Sequence, residues 1–145
     1  MKLKVFEVSS LEAYSAPAEY IVDLMKTNFV FVLKGNLGAG KTTLVQEVCK
    51  LLKTKDVVTS PTFALINPYL TSIGTVYHMD MYRINHVDEA IDFGIEEYIW
   101  DDQFCFIEWP EKIELLLPES YIEINIQLQE DQSREVKIEN IQQAN

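Results

Sequence analysis

The sequence predicts an α/β fold in three layers, a central mixed β-sheet flanked by helices, and three observations carry that prediction. First, the apolar run Phe29-Val30-Phe31-Val32-Leu33 precedes a glycine-rich segment, Gly35-Asn36-Leu37-Gly38-Ala39-Gly40-Lys41-Thr42. Leu44, Val45, Val48, Leu51 and Leu52 follow it at helical spacing, so residues 29–52 read as a strand, a loop and a helix. Second, another apolar run, Phe104-Cys105-Phe106-Ile107, reads as a buried strand ending in Glu108. Third, Tyr121 to Leu128 and Glu135 to Ile141 alternate apolar and polar residues, the pattern of an antiparallel pair.

The remaining elements follow in order. Val5-Phe6-Glu7-Val8 is a short first strand, and Ser9 or Ser10 caps a helix running through Leu11, Tyr14, Ile21, Leu24 and Met25. Pro17 kinks or restarts that helix, because proline lacks the backbone donor a helix interior needs. Beyond the glycine-rich loop, Val57 to Ile66 and Thr75 to Asp80 are β-like runs. Asn67-Pro68 and Ser72-Ile73-Gly74 separate them, which suggests a hairpin. Asp88 to Phe93 and Ile95 to Trp100 suggest two short helices before the strand at Phe104 to Trp109. Gln142 to Asn145 form a frayed tail.

At 145 residues the chain is long enough for one domain, spanning 1–145, to bury a core without disulfide or metal support. No apolar run reaches the roughly 20 residues of a membrane span, so no membrane association is expected. The first residues lack the apolar core and cleavage site of a signal peptide, and the expected location is cytoplasmic. Cys49 and Cys105 lie in apolar stretches outside any C-x-x-C arrangement and read as reduced, buried thiols. The formal net charge of −11 opposes direct contact with a nucleic-acid backbone. An acidic protein that binds a nucleotide must do so through local groups: loop N–H donors, one lysine and a divalent cation. Such acidity also suits docking onto a basic protein surface.

The segment from Gly35 to Thr42 is a complete G-x-x-x-x-G-K-[ST] phosphate-binding loop in the strand-loop-helix context the motif requires. The fold is therefore expected to be P-loop NTPase-like. Lys41 would reach the β- and γ-phosphates, and the Thr42 hydroxyl would bind Mg²⁺. A metal in such a site needs a carboxylate at the end of a neighbouring apolar strand, and two acids qualify, Glu108 and Asp80. Glu108 ends the cleaner run and is assigned to the metal; Asp80 is assigned to positioning or activating the attacking water. Ser60-Pro61-Thr62-Phe63 offers two hydroxyls on a proline-stiffened bend, a candidate switch that senses a γ-phosphate. Arg83 is either a neutraliser of developing phosphate charge or a surface ion-pair residue. His78 is either a packed, hydrogen-bonded histidine or a functional one. Trp109 is either core or a platform for a ligand or partner. The absence of an Asn-Lys-x-Asp motif disfavours guanine and leaves ATP as the nucleotide.

Taken together, the loop, Ser60-Pro61-Thr62-Phe63, His78-Met79-Asp80-Met81-Tyr82-Arg83 and Ile107-Glu108-Trp109-Pro110 resemble the bacterial TsaE (YjeE) family in order and spacing. The resemblance implies a P-loop ATPase required for threonylcarbamoyladenosine modification of tRNA. It implies action through a complex with TsaB and TsaD, which ATP hydrolysis resets, with tRNA contacted only through those partners. It places the nucleotide phosphates on Leu37, Gly38, Ala39, Gly40, Lys41, Thr42 and Thr43, and Mg²⁺ on Thr42 and Glu108. The hydrolytic role falls to Asp80, and Ser10 and Arg134 resemble positions near the nucleotide. Asn36 stands where many relatives have Asp, outside the essential glycines and lysine. Two other readings remain: a nucleotide-gated binding module that hydrolyses negligibly alone, and a small-molecule kinase. The short chain offers no lid or acceptor segments for the kinase.

Overall fold

The structure, a computed structural model, describes residues 3–56, 58 and 65–143. Its elements run β1 (Lys4–Val8), α1 (Ser15–Leu24), β2 (Val30–Lys34), α2 (Lys41–Leu51), β3 (Ile66–Thr71) and β4 (Gly74–Asp80). Then come α3 (Val87–Asp92), α4 (Ile95–Ile99), β5 (Phe104–Glu108), β6 (Ser120–Leu128) and β7 (Arg134–Gln142). A 3-10 turn at Glu12–Tyr14 leads into α1, and a longer 3-10 segment, Pro110–Leu116, follows β5.

All seven strands join one mixed sheet in the order β1-β7-β6-β2-β5-β4-β3. The loop-feeding strand β2 lies at its centre, with β5 and β6 parallel on either side. Strand β4 is parallel to β5, and β3 closes that edge as an antiparallel hairpin with β4. On the other side β7 runs antiparallel to both of its neighbours, β6 and β1.

Burial on both faces explains why β2 is apolar from Val30 to Leu33. Phe31 and Leu33 point into a cluster with Ile21 of α1 and Leu44, Val45 and Val48 of α2. Their neighbours Val30 and Val32 enter a second cluster with Met79, Ile95, Ile99 and Ile113. The same two-residue alternation sends Phe106 to the first cluster and Cys105 and Ile107 to the second. Phe31 and Phe106 stack with ring centroids 4.8 Å apart, so neighbouring strands are tied side chain to side chain as well as by backbone. Truncating either ring to alanine would cost about 3–5 kcal/mol. Helices therefore cover both faces, and the layers are those the sequence predicts.

One element differs from expectation. The first arm of the hairpin is Ile66–Thr71, so it runs through Asn67-Pro68 instead of stopping there. Pro68 pairs opposite Tyr77 on the outermost strand, where its missing N–H costs no sheet hydrogen bond. Of the predicted run from Val57 to Ile66, Val57 and residues 59–64 lie outside the described residues, and Val58 and Leu65 are not in a strand. The helix after β1 restarts, one of the two outcomes expected near Pro17: α1 begins at Ser15 and puts Pro17 in its first turn, where no backbone donor is required. Among the described residues no helix is long and apolar enough to cross a membrane.

Candidate functional site

The carboxyl ends of β2, β5 and β4 lie side by side, and each delivers a polar group to one place. Register pairs Leu33 with Glu108 and Glu108 with Asp80, so the two acids end adjacent strands next to the loop. Glu108 stands on the strand directly beside β2; Asp80 is one strand further out.

The glycines give the loop its path. Gly40, at φ 111°, caps the start of α2 in the left-handed region, and a Cβ there would collide with the Tyr14 hydroxyl and crowd Arg134. At Gly35 a Cβ would sit 2.6 Å from the Ile126 carbonyl oxygen of β6. The loop is thus wedged between β6 on one side and Tyr14 and Arg134 on the other. The Arg134 Nε donates to the Ala39 carbonyl at 2.6 Å and Nη2 donates to Gly38 at 3.4 Å, which pins the loop from β7.

Lys41 is 4% exposed. Its Nζ donates to the Gly35 carbonyl at 2.7 Å and sits 3.8 Å from the centroid of the Trp109 ring. Burial pulls the amine below the usual lysine range, while the carboxylates of Glu108, Asp80 and Glu111 push the other way. Trp109 itself has φ 58°, unusual for a bulky residue, and its ring packs against Tyr82 at 4.9 Å.

The Thr42 hydroxyl donates to Glu108 Oε2 at 2.9 Å. The same oxygen meets His78 Nε2 at 2.5 Å. Both partners are interior, with His78 at 0% and Glu108 at 3% exposure. The second imidazole nitrogen, Nδ1, is buried without a partner among the described residues. Asp80 Oδ1 accepts from the Tyr82 backbone N–H at 2.9 Å, which fixes the carboxylate at the strand end.

Leu37, Gly38, Gly40, Lys41, Thr42 and Thr43 line a cavity of about 270 Å³ together with Asp80, Glu108, Trp109 and Arg134. Ala39 is buried and lines a neighbouring groove. Next to this cavity a smaller one, about 180 Å³, brings Ser10, Thr43 and Arg134 together, though they lie far apart in sequence. Ser10 also caps the 3-10 turn, its Oγ accepting from the Ala13 N–H at 3.3 Å. A wider groove of about 570 Å³ opens on the outer side of the loop, and Trp109 forms part of its wall. The cavity of about 270 Å³ is the one that brings Lys41, the Thr42 and Thr43 hydroxyls and the Asp80 and Glu108 carboxylates together. Arg83 is exposed beyond Asp80, and no ion pair joins it to a described residue. Ser60 and Thr62, the candidate switch hydroxyls, lie outside the described residues.

Thr42 and Glu108 offer hard oxygen donors on facing elements, the small donor set that Mg²⁺ accepts when phosphates and water complete its shell. No group of three or more His, Cys, Asp or Glu side chains able to hold an ion lies among the described residues. Three participants escaped sequence reasoning or stayed open in it. Tyr14 reads only as an apolar helix position, and nothing local marks its place under Gly40. Arg134 contacts a loop 95 residues away, and His78 finds Glu108 only once β4 and β5 align.

A model of the family described as "Threonylcarbamoyl adenosine biosynthesis protein TsaE" matches residues 8–136. The chain is 35% identical over 136 residues to the tRNA threonylcarbamoyladenosine biosynthesis protein TsaE of Bacillus subtilis, covering 94% of this chain and 85% of that one. It is 36% identical to the Treponema pallidum protein of the same name over 79% of this chain and 84% of that one. A crystal structure of YdiB from Bacillus subtilis superposes with a TM-score of 0.78 at 28% identity, covering 98% of this chain and 87% of that one.

Proposed function

This chain belongs to the TsaE family, and on that premise we propose that residues 1–145 form a single P-loop ATPase domain serving tRNA threonylcarbamoyladenosine biosynthesis. It binds ATP with Mg²⁺ and acts through a complex with TsaB and TsaD, which hydrolysis resets. The tRNA is met only through those partners, in keeping with a net charge of −11. The observation that carries the reading is the 2.9 Å bond from the Thr42 hydroxyl to Glu108. It joins the loop's last residue to an acid on the neighbouring strand, as a phosphate-bound cation requires.

Loop N–H groups from Leu37 to Thr43 cradle the phosphates at the start of α2. Lys41 exchanges the Gly35 carbonyl and the Trp109 face for phosphate oxygens. Thr42 and Glu108 hold Mg²⁺, which when bound neutralises phosphate charge. Asp80 orients or deprotonates the attacking water, and Arg83 lies close enough in sequence to serve the developing charge. Ser10 and Arg134 frame the rest of the nucleotide, and Ser60 and Thr62 act as the switch. The 3.8 Å contact of the Lys41 amine with the Trp109 ring supports a second reading, in which the two residues couple occupancy of the site to partner binding and turnover by the isolated chain is negligible.

Capture of this chain by immobilised TsaB and TsaD with ATP, ADP or no nucleotide tests the proposal. Capture should differ at least severalfold between the ATP and ADP states; indifference to nucleotide would remove the switching role.

A further inference from the structure

We infer that His78 is a positioning residue for the metal-binding carboxylate, acting through Glu108 and not on the nucleotide. The inference rests on the reading above that Thr42 and Glu108 hold Mg²⁺. Glu108 receives two hydrogen-bonding partners on one oxygen: Thr42 Oγ1 at 2.9 Å and His78 Nε2 at 2.5 Å both address Oε2. Neither addresses Oε1. A carboxylate held this way cannot rotate freely about its last torsion, so its two oxygens become inequivalent. One is committed to the protein, and the other is presented in a constant direction.

The setting of His78 argues that this is its task. The imidazole is fully buried, yet it spends one nitrogen on Glu108 and leaves the other without a partner among the described residues. An unpartnered buried nitrogen costs of the order of 1–3 kcal/mol, a cost set against the hydrogen bond that the ring gives to the buried Glu108 carboxylate. The ring is also held from the outer strand. Tyr69 packs on it with centroids 6.1 Å apart, and Tyr69 is itself 3% exposed. The imidazole therefore has little freedom, and what it confers on Glu108 is direction. Partners of this kind behind a metal ligand change affinity for the ion by roughly 10- to 100-fold when removed.

His78→Gln and His78→Asn separate position from mere polarity, because a glutamine amide nitrogen reaches about where Nε2 lies and an asparagine amide falls short. Affinity for ATP is measured by calorimetry with Mg²⁺ and with EDTA, alongside the unfolding temperature. His78→Asn should weaken the Mg²⁺-dependent part of ATP affinity by roughly tenfold or more and leave affinity in EDTA within twofold of wild type. His78→Gln should recover most of the loss. Equal loss with and without Mg²⁺ would make His78 structural and overturn the inference, as would wild-type behaviour of a folded His78→Asn. If His78→Asn does not fold, His78→Gln decides: Mg²⁺-dependent affinity within threefold of wild type supports the inference, and a larger loss overturns it. Failure of the underlying reading looks different, since wild type itself would then show no Mg²⁺-dependent affinity and both ideas would fall.

Discussion

The two wings of the sheet that flank β2 treat buried polar groups in opposite ways. On the β5–β4 side, Glu108, His78 and the loop residue Thr42 come from three elements, with 30 residues between the first pair and 66 between Glu108 and Thr42. On the β6–β7–β1 side the buried polar residue is Ser133, at 7% exposure. Its hydroxyl donates to Gln129 and Asp131 of its own turn, at 2.8 and 2.5 Å. A polar group satisfied within four residues needs no tertiary structure and stabilises a turn. A network drawn from three elements, with a nitrogen left over, is costly to bury and implies a use outside folding. The antiparallel wing reaches the loop through Arg134, whose contacts are to loop carbonyls.

If this division is right, the wings fail differently when cut. Lys41→Ala should slow ATP hydrolysis by roughly 10²–10³-fold while the unfolding temperature holds, since in the proposed function the amine serves charge that develops in the reaction. Arg134→Ala loses a charged hydrogen bond of about 1.5–3 kcal/mol. It should show mainly as weaker ATP binding, about tenfold, with turnover at saturation nearly intact. Steady-state kinetics on both variants would break the comparison if Arg134→Ala lost turnover at unchanged affinity. The smallest effect sharpens it by finding a respect in which the molecule is uniform. Cys49 lies in the α1–α2 layer and Cys105 in the opposite one, and burial pushes both thiols up to about 12 from the ordinary 9.0. The folded thiols keep their protons after those of the unfolded chain ionise. Their contribution to stability is therefore complete below pH 9.0 and is lost as pH rises from there toward about 12. Native protein at pH 8 should leave both thiols unreacted toward a disulfide reagent, and denatured protein should titrate two. A single fast thiol would mean that one layer is open.

Much of this was legible in the chain. The strand before Gly35, the helix after Lys41 and the acid ending Phe104–Ile107 are local patterns, and the structure places all three as read. The edge hairpin was misjudged because Pro68 reads as a breaker, and only its place on the outermost strand makes it harmless. Glu108 is preferred to Asp80 in the sequence because its run is the more apolar, and the structure puts it on β5 directly beside β2, with Asp80 one strand further out. His78 on Glu108 and Arg134 on Ala39 could not be read, since no local rule says which side chains meet when distant strands align. The Trp109 face on Lys41 depends on a left-handed backbone at a residue type that rarely adopts it.

The central claim is that the β5–β4 wing holds the hydrolytic chemistry, and single-turnover hydrolysis of Mg²⁺-ATP in the presence of TsaB and TsaD tests it most directly on wild type and Glu108→Gln. The glutamine keeps the size of the side chain and the ability to accept from Thr42 but removes its charge. Wild type should release phosphate, and Glu108→Gln should bind ATP yet release phosphate at least about a hundredfold more slowly. Equal rates from the two proteins would contradict the account.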